Sequence, residues 1–152
     1  MYRPRFVILL SVLWFAVGVS LAAQSAEFLD DLMFAEEATV GDAAILILLA
    51  AGRSGDEDPA AATRIARERG WLDEAAAPSD SLTLGTLSFL MMRATDMSGG
   101  LGYRVFPGPR YATRELDYLG LLRGYAAPNR RLSGTELLQV VGNVMNWLEA
   151  ES

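Results

Sequence analysis

The chain of 152 residues contains an internal repeat, because residues 62–94 align without a gap to residues 112–144 at a fixed offset of 50. Ten of the 33 aligned positions are identical, whereas a chain of this composition gives about two or three identities by chance. The identical residues of the first copy are Ala62, Thr63, Arg64, Gly70, Leu72, Ala76, Ala77, Pro78, Leu82 and Leu87. We interpret the repeat as an ancestral duplication, and a unit of this size buries its apolar face by stacking on its neighbours.

Signals for helix ends occur throughout the chain after the first 25 residues. Thr39 begins an approximate capping box before an apolar run, and Ser133 begins a full S-x-x-E box. Asp58 before Pro59 is typical of an N-cap followed by the first helical residue. The predicted helices cover residues 27–35, 43–51, 59–69, 83–94 and 110–119, and a last one begins at residue 133.

Signals for strands are scarce, so the sequence predicts an all-α fold. Each copy of the repeat contains a helix, a glycine that ends it, a turn with Ala-Ala-Pro, and a second helix capped by a hydroxyl. Residues 39–49 resemble only the second half of this unit, because Thr39-x-Gly41 matches Thr83-x-Gly85. We therefore expect two full repeats and a leading half, which form a small helical-hairpin repeat domain over residues 39–149.

The first 25 residues are typical of a secretory signal peptide. Two arginines precede an apolar run over residues 6–23, and small residues follow where a signal peptidase cuts. We expect the mature protein to begin between Ala23 and Glu27 and to lie in the periplasm or cell envelope. The alternative is an uncleaved membrane anchor, since 18 apolar residues are just long enough to cross a bilayer. Residues 26–38 are expected to form a short segment before the repeats.

The composition removes most catalytic groups. The chain has no Cys and no His, and all 13 of its basic residues are arginines, so it lacks a thiolate, imidazole or amine nucleophile and the usual zinc ligands. We therefore predict a protein that is not an enzyme and uses no cofactor or metal; a carboxylate-dependent hydrolase is the alternative. The stretch from Ser54 to Asp58 is interpreted as a solvated turn rather than a calcium loop. The net charge of −6 argues against binding to nucleic acid.

The repeat resembles the S-layer homology (SLH) family. The matching pieces are Arg69-Gly70-Trp71-Leu72 and Leu82-Thr83-Leu84-Gly85-Thr86 in the first copy, and Leu119-Gly120-Leu121-Leu122 and Leu132-Ser133-Gly134-Thr135-Glu136 in the second. SLH repeats dock on cell-wall polysaccharide, and the arginine of a Thr-Arg-Ala-Glu motif helps to hold the anionic sugar. Leu84 and Gly134 stand where that arginine belongs. The resemblance covers roughly residues 39–148, implies the helical architecture, and suggests a cell-wall glycan as a partner.

The segment between the two copies, residues 98–111, is longer than an ordinary connection between helices, which takes about two to eight residues. It combines glycines with aromatic rings and arginines, which are groups that bind a sugar, a carboxylate or a partner protein. The alternative is that Leu101, Val105 and Phe106 pack inward and the arginines are only solvated. The candidate contact residues in this segment are Tyr103, Arg104, Phe106, Arg110 and Tyr111.

Arg64 and Arg114 hold equivalent places in the two copies and are further candidates. Each is expected either to contact a ligand or to bond a neighbouring helix end or loop carbonyl. For the whole chain we expect a non-catalytic binding or scaffolding module of the cell envelope, whose partner is a cell-wall glycan or an envelope protein. The second hypothesis is a periplasmic adaptor between proteins that binds no glycan. Contact with a membrane is expected only through an uncleaved leader.

Overall fold

A computed structural model describes residues 26–52 and 58–151, and the regular elements in these two ranges are all helices. The helices are α1 (26–34), α2 (Val40–Ala50), α3 (Pro59–Glu68), α4 (Leu84–Ala94), α5 (Leu101–Val105), α6 (Pro109–Tyr118) and α7 (Gly134–Glu151). The predicted all-α fold is therefore confirmed for the described residues. The predicted signal peptide, and most of the stretch from Ser54 to Asp58, lie outside them.

Local sequence signals set the starts of the helices. The N–H of Thr39 donates to the Asp42 carboxylate at 2.8 Å, and the N–H of Asp42 donates to the Thr39 hydroxyl at 3.2 Å, which completes a capping box. Ser133 and Glu136 form the same reciprocal pair at the start of α7. The carboxylate of Asp58 caps α3. These contacts confirm the predicted caps at Thr39, Asp58 and Ser133, and α2 begins at Val40, three residues before the predicted range.

Gly70 and Gly120 end α3 and α6, as predicted. Their φ angles are 70° and 71°, in the left-handed region that glycine adopts without a steric cost. In each case the next residue donates its N–H to a carbonyl five positions earlier at 2.9 Å, which is the Schellman arrangement. The two helices, fifty residues apart in sequence, therefore end in the same way.

Three buried residues meet at the centre of the fold in a closed ring of backbone hydrogen bonds. The N–H of Ala38 donates to the carbonyl of Leu132 at 2.8 Å, that of Leu132 donates to Leu82 at 3.1 Å, and that of Leu82 donates to Ala38 at 2.8 Å. All three residues are at most 1% exposed, so each bond replaces one that water no longer supplies. Each precedes a helix cap, and α2, α4 and α7 therefore start around this backbone ring.

Helix α1 completes the arrangement on the side of α7. The first residue of α2 donates its N–H to the carbonyl of Asp80 at 2.9 Å, and the first residue of α4 donates to that of Arg130 at 2.8 Å. Gly134, the first residue of α7, instead donates to Ala35 just after α1, at 3.0 Å. A Cβ on Gly134 would overlap the carbonyl of Leu32. The segment before the aligned repeats therefore packs into the same core.

The helices pack most extensively as two pairs, α2 with α3 and α4 with α6. In each pair a glycine in the first turn of one helix faces the proline that begins the other. A Cβ on Gly41 would lie 2.6 Å from the Cβ of Pro59, and one on Gly85 would lie 3.0 Å from the Cβ of Pro109. Each pair therefore joins a hydroxyl-capped helix to the next Pro-led helix along the chain, and the two helices of the first sequence copy, α3 and α4, belong to different pairs.

Apolar side chains from both pairs and from α7 form one core. Its largest fully buried side chains include Leu48, Leu82, Leu84, Leu87, Leu90, Met91, Met92, Leu116, Leu132, Leu137 and Val144. Leu87 and Leu137, which the repeat places in register, are both 0% exposed. In the described ranges, no helix is both long and apolar enough to cross a membrane.

Candidate functional site

The connection between α4 and α6 differs from its counterpart in the other pair. It runs over residues 95–108 and is six residues longer than the connection over 51–58 between α2 and α3. The longer connection holds α5, a helix that no sequence signal predicted. Two of the predicted contact residues, Tyr103 and Arg104, lie in α5, and Phe106 follows it directly. The two faces of α5 therefore decide what this surface offers to a partner.

Tyr103 fixes α5 to the core. Its side chain is 6% exposed, and its ring meets the ring of Phe89 edge to face at a centroid distance of 6.5 Å. Burial raises the pKa of Tyr103 above its ordinary value of 10.0, and the charge of Arg93 opposes part of that rise. Its hydroxyl has no hydrogen-bond partner among the described residues. Tyr103 is therefore a core residue, and its ring face is not free to stack on a ligand.

The opposite face of α5 is exposed. Leu101, Val105 and Phe106 are 79%, 56% and 63% exposed, so the expectation that they pack inward is wrong. For Leu101 and Val105 the reason is geometric: residues two positions from Tyr103 lie about 200° around a helix from it, and Tyr103 occupies the side that faces the core. Phe106 follows the last residue of α5 and has a non-helical backbone. Arg104 is exposed as well. We call Leu101, Arg104, Val105 and Phe106 the α5 ridge.

The ridge contacts the start of α6. The ring of Phe106 stacks on that of Tyr111, with centroids 6.0 Å apart and planes 25° apart. Gly102 allows Tyr111 to approach α5, since a Cβ there would lie 3.0 Å from the tyrosine ring. Arg110, next to Tyr111, is exposed. The structure thus brings two of the predicted aromatic residues together, and Arg104 and Arg110 accompany them in the chain.

Arg64 and Arg114 are both exposed, on α3 and α6 respectively. Arg64 pairs with Glu68 of its own helix at 3.1 Å, and such an exposed pair contributes about 0.3–0.5 kcal/mol. A bond to a loop carbonyl is made by its neighbour Arg67, at 3.3 Å. Arg114 lies one turn after Arg110, so the two share a face of α6. Arg64 lines a separate hollow on α3.

A groove that no local sequence signal indicated lies beside α5. Its volume is about 590 Å³, and it is lined by the end of α4, residues 95–100, the second half of α6 and the end of α7. None of its carboxylates forms an ion pair in the described part of the chain. We call it the carboxylate groove. Its side chains include Met92, Met97, Tyr118, Leu119 and Trp147, with the carboxylates of Asp96, Glu115 and Glu151.

A second groove, of about 680 Å³, separates the two helix pairs. Residues 70–76 and 80–81 line one side of it, and Phe89 and residues 107–109 line the other. The charged residues among its lining are Asp73, Glu74 and Asp80. This groove is therefore negatively charged, like the carboxylate groove.

The pKa of Glu136 is lowered by contacts that hold the start of α7. A hydrogen bond from the N–H of Ser133 lowers the pKa of Glu136, Arg130 lowers it further, and partial burial opposes both; this carboxylate caps α7. Across the described ranges, no three acidic side chains converge where a metal ion could bind. The candidate surfaces are therefore the α5 ridge and the two grooves. Compared with known proteins, the chain matches no family model, no curated protein and no solved structure.

Proposed function

We propose that this chain is an exported, non-catalytic binding or scaffolding module of the cell envelope, which contacts a partner protein through the α5 ridge. The observation that carries the proposal is the exposure of Leu101, Val105 and Phe106 on a connection that is longer than its counterpart. Exposed apolar side chains grouped together and rimmed by charge mark interaction sites. A partner that covers them gains about 25 cal/mol for each Å² removed from water.

The chemistry of the ridge favours a protein over a glycan. Leu101 and Val105 offer aliphatic surface, against which the hydroxyls of a sugar lose their hydrogen bonds to water. Arg104 carries a planar fork of donors that matches a carboxylate. An apolar and acidic protein surface therefore fits the ridge. The stacked rings of Phe106 and Tyr111 are the feature that supports the alternative partner, a cell-wall glycan.

We further propose that the aligned copies are SLH-like repeats that arose by duplication, which the matching helix ends at Gly70 and Gly120 support. The sugar-binding mode of the family lacks its donors here. Leu84 is 0% exposed and Gly134 is buried against α1, so neither position offers a cation to the surface. Asp73, Glu74 and Asp80 line the groove between the helix pairs and repel an anionic sugar.

Export of the protein rests on the leader, and N-terminal sequencing of the protein isolated from cells tests it. A start between Ala23 and Glu27 in the periplasmic or envelope fraction supports cleavage and export. If the protein still carries Met1 and stays in the membrane fraction after carbonate extraction, the leader is an uncleaved anchor instead. Recovery in the cytosol alone overturns the proposal of export.

The ridge is tested by retention of the exported protein on envelope material isolated from the same cells. Val105→Asp and Phe106→Ser should each lower retention about tenfold or more. Helix content and melting temperature should stay near those of the parent, because both side chains are already exposed. The matched control is Tyr125→Ser, which removes an aromatic ring that is 82% exposed elsewhere, and it should bind like the parent. Tyr103 is left intact because it belongs to the core.

Digestion of the envelope material with a proteinase before binding separates the two classes of partner. Loss of retention after digestion supports a protein partner, and undiminished retention supports a glycan. If both ridge variants are retained as well as the parent, the ridge is not the contact surface and the proposal fails.

A further inference from the structure

We infer that the surface which receives the α5 ridge is the carboxylate groove of a second copy of this chain, so that two copies bind ridge to groove and groove to ridge. The inference rests on the proposed function, because it names the partner of the same ridge. Its basis is that one molecule presents two exposed surfaces that complement each other in charge, in composition and in position.

Charge decides which surfaces of two copies attract each other. The chain carries a net charge of −6, so two copies repel over most of their surfaces. The ridge is different, because Arg104 is exposed among its apolar side chains, and Arg110 and Arg114 lie on the adjoining helix. The carboxylate groove has the opposite sign and no ion pairs of its own among the described residues. Ridge against groove is therefore an attractive arrangement of two like-charged molecules.

The carboxylate groove has the composition of a contact between proteins. Tyr118 is 86% exposed at its edge, and Trp147 is half-buried; both residue types are enriched in interfaces. Met97, which is half-buried, supplies apolar surface that adapts to the shape of a partner. A floor of this kind accepts the aliphatic and aromatic side chains of the ridge. The acidic residues of the groove then pair with Arg104, in a site from which water is excluded and charge pairing is stronger.

The ridge and the groove adjoin on one side of the molecule. Residues 98–100 form one wall of the groove, and α5 begins at the next residue, Leu101. A Cβ on Gly100 would lie 2.8 Å from the Glu115 carboxylate, so the ridge starts beside an acidic group of the groove. Because the two surfaces lie side by side, one two-fold rotation places each ridge in the other groove and closes the contact. A foreign protein on the ridge leaves the groove uncovered.

The size of the contact sets its strength. Specific, stable interfaces bury about 1,200–2,000 Å² in total. A five-residue helix with one groove, even when doubled by symmetry, lies at the lower end of that range. We therefore expect monomer and dimer to exchange, and the test must trap the dimer.

Disulfide trapping in the cells that make the full chain tests the inference. The chain has no Cys, so each disulfide between copies comes from introduced residues. Two differently tagged copies are expressed together, one with Val105→Cys on the ridge and one with Tyr118→Cys at the groove, and a mild oxidant is added. The control pair combines Val105→Cys with Glu68→Cys, which is exposed on α3. We expect the mixed disulfide to be about tenfold more abundant in the first pair.

A charge exchange tests the assigned orientation. Arg104→Glu in the ridge copy should lower the yield of mixed disulfide about tenfold. Glu151→Arg in the groove copy should restore it, a rescue that a merely structural role of Arg104 does not produce. Equal yields in the ridge-groove and control pairs overturn the inference, and failure of the rescue overturns the pairing of Arg104 with the groove.

The results also separate this inference from the proposed function. If the ridge variants lose retention on envelope material while no specific disulfide forms, the ridge binds another protein and only the inference fails. If the disulfide forms while the ridge variants are retained normally, the copies associate and the proposed envelope contact fails.

Discussion

Replacing Gly85 by alanine tests whether close backbone contact holds α4 against α6 and against the loop that precedes α7. Gly85 lies in the first turn of α4 and is buried. Its N–H donates to the carbonyl of Pro128 at 2.7 Å. A Cβ on Gly85 would lie 2.8 Å from that same oxygen and 3.0 Å from the Cβ of Pro109. The added methyl group therefore meets backbone, which cannot move aside as the end of a flexible side chain can.

One stabilising effect and two destabilising effects set the size of the change in stability. Alanine in place of glycine stabilises a helix interior by up to about 1 kcal/mol. Overpacking at a site without free space costs about 1–3 kcal/mol, and lengthening the bond to Pro128 removes up to about 1 kcal/mol more. The two destabilising effects together outweigh the gain from alanine in the helix. We expect Gly85→Ala to lower the free energy of unfolding by about 1–3 kcal/mol.

Chemical denaturation of the purified protein measures this change, and Gly142→Ala is the matched control. Gly142 lies inside α7, and a Cβ on it would meet nothing within 4 Å. Only the helix effect remains there, so Gly142→Ala should raise the free energy of unfolding by up to about 1 kcal/mol. The two substitutions should thus differ in sign. A Gly85→Ala protein as stable as the parent would refute the argument from close packing.

Three further predictions concern the core and the cap of α7. Leu87→Ala and Leu137→Ala should each destabilise by about 2–5 kcal/mol, because both side chains are 0% exposed; unchanged thermal unfolding of either would contradict their equivalence. Tyr103→Phe should leave stability unchanged or raise it by about 1 kcal/mol, because the buried hydroxyl lacks a hydrogen-bond partner among the described residues; calorimetry checks it, and a clear loss would show that the hydroxyl is bonded. Since the folded state lowers the pKa of Glu136 below its ordinary value of 4.5, the carboxylate stabilises the fold above that value and loses its effect as pH falls through the folded pKa. The stability difference between the parent and Glu136→Gln should therefore shrink from neutral pH to about pH 3, and a constant difference would contradict this.

The helix ends could be predicted from the sequence because they depend on residues close together in the chain. A hydroxyl or carboxylate three positions before a free N–H, or a glycine that turns the chain after a helix, acts within one turn. Thr39, Asp58, Ser133, Gly70 and Gly120 all act in this way. The same locality explains why the all-α class could be predicted from the sequence.

Helix α5 and the carboxylate groove could not be predicted because tertiary contacts produce them. Gly102 lies inside α5, and glycine costs about 1 kcal/mol in a helix interior. Burial of Tyr103 against the core outweighs that penalty. The groove takes its residues from three stretches that are distant in the sequence, 92–100, 115–119 and 147–151. The pairing of the helices could not be predicted for a similar reason. An internal repeat of fifty residues does not show which of the neighbouring helices pack together.

The backbone ring limits the number of helix starts that can join it. An open stack of helical units grows by adding another at its free end, where the last unit leaves its backbone donors and acceptors unused. In this protein the carbonyl of Leu132 accepts the N–H of Ala38, so the ring of backbone hydrogen bonds closes with three residues. All three N–H groups of the ring are used, so a fourth segment would find no free N–H among them. The three helix starts therefore form a closed set, and the turn after α1 adds the carbonyl that accepts the N–H of Gly134.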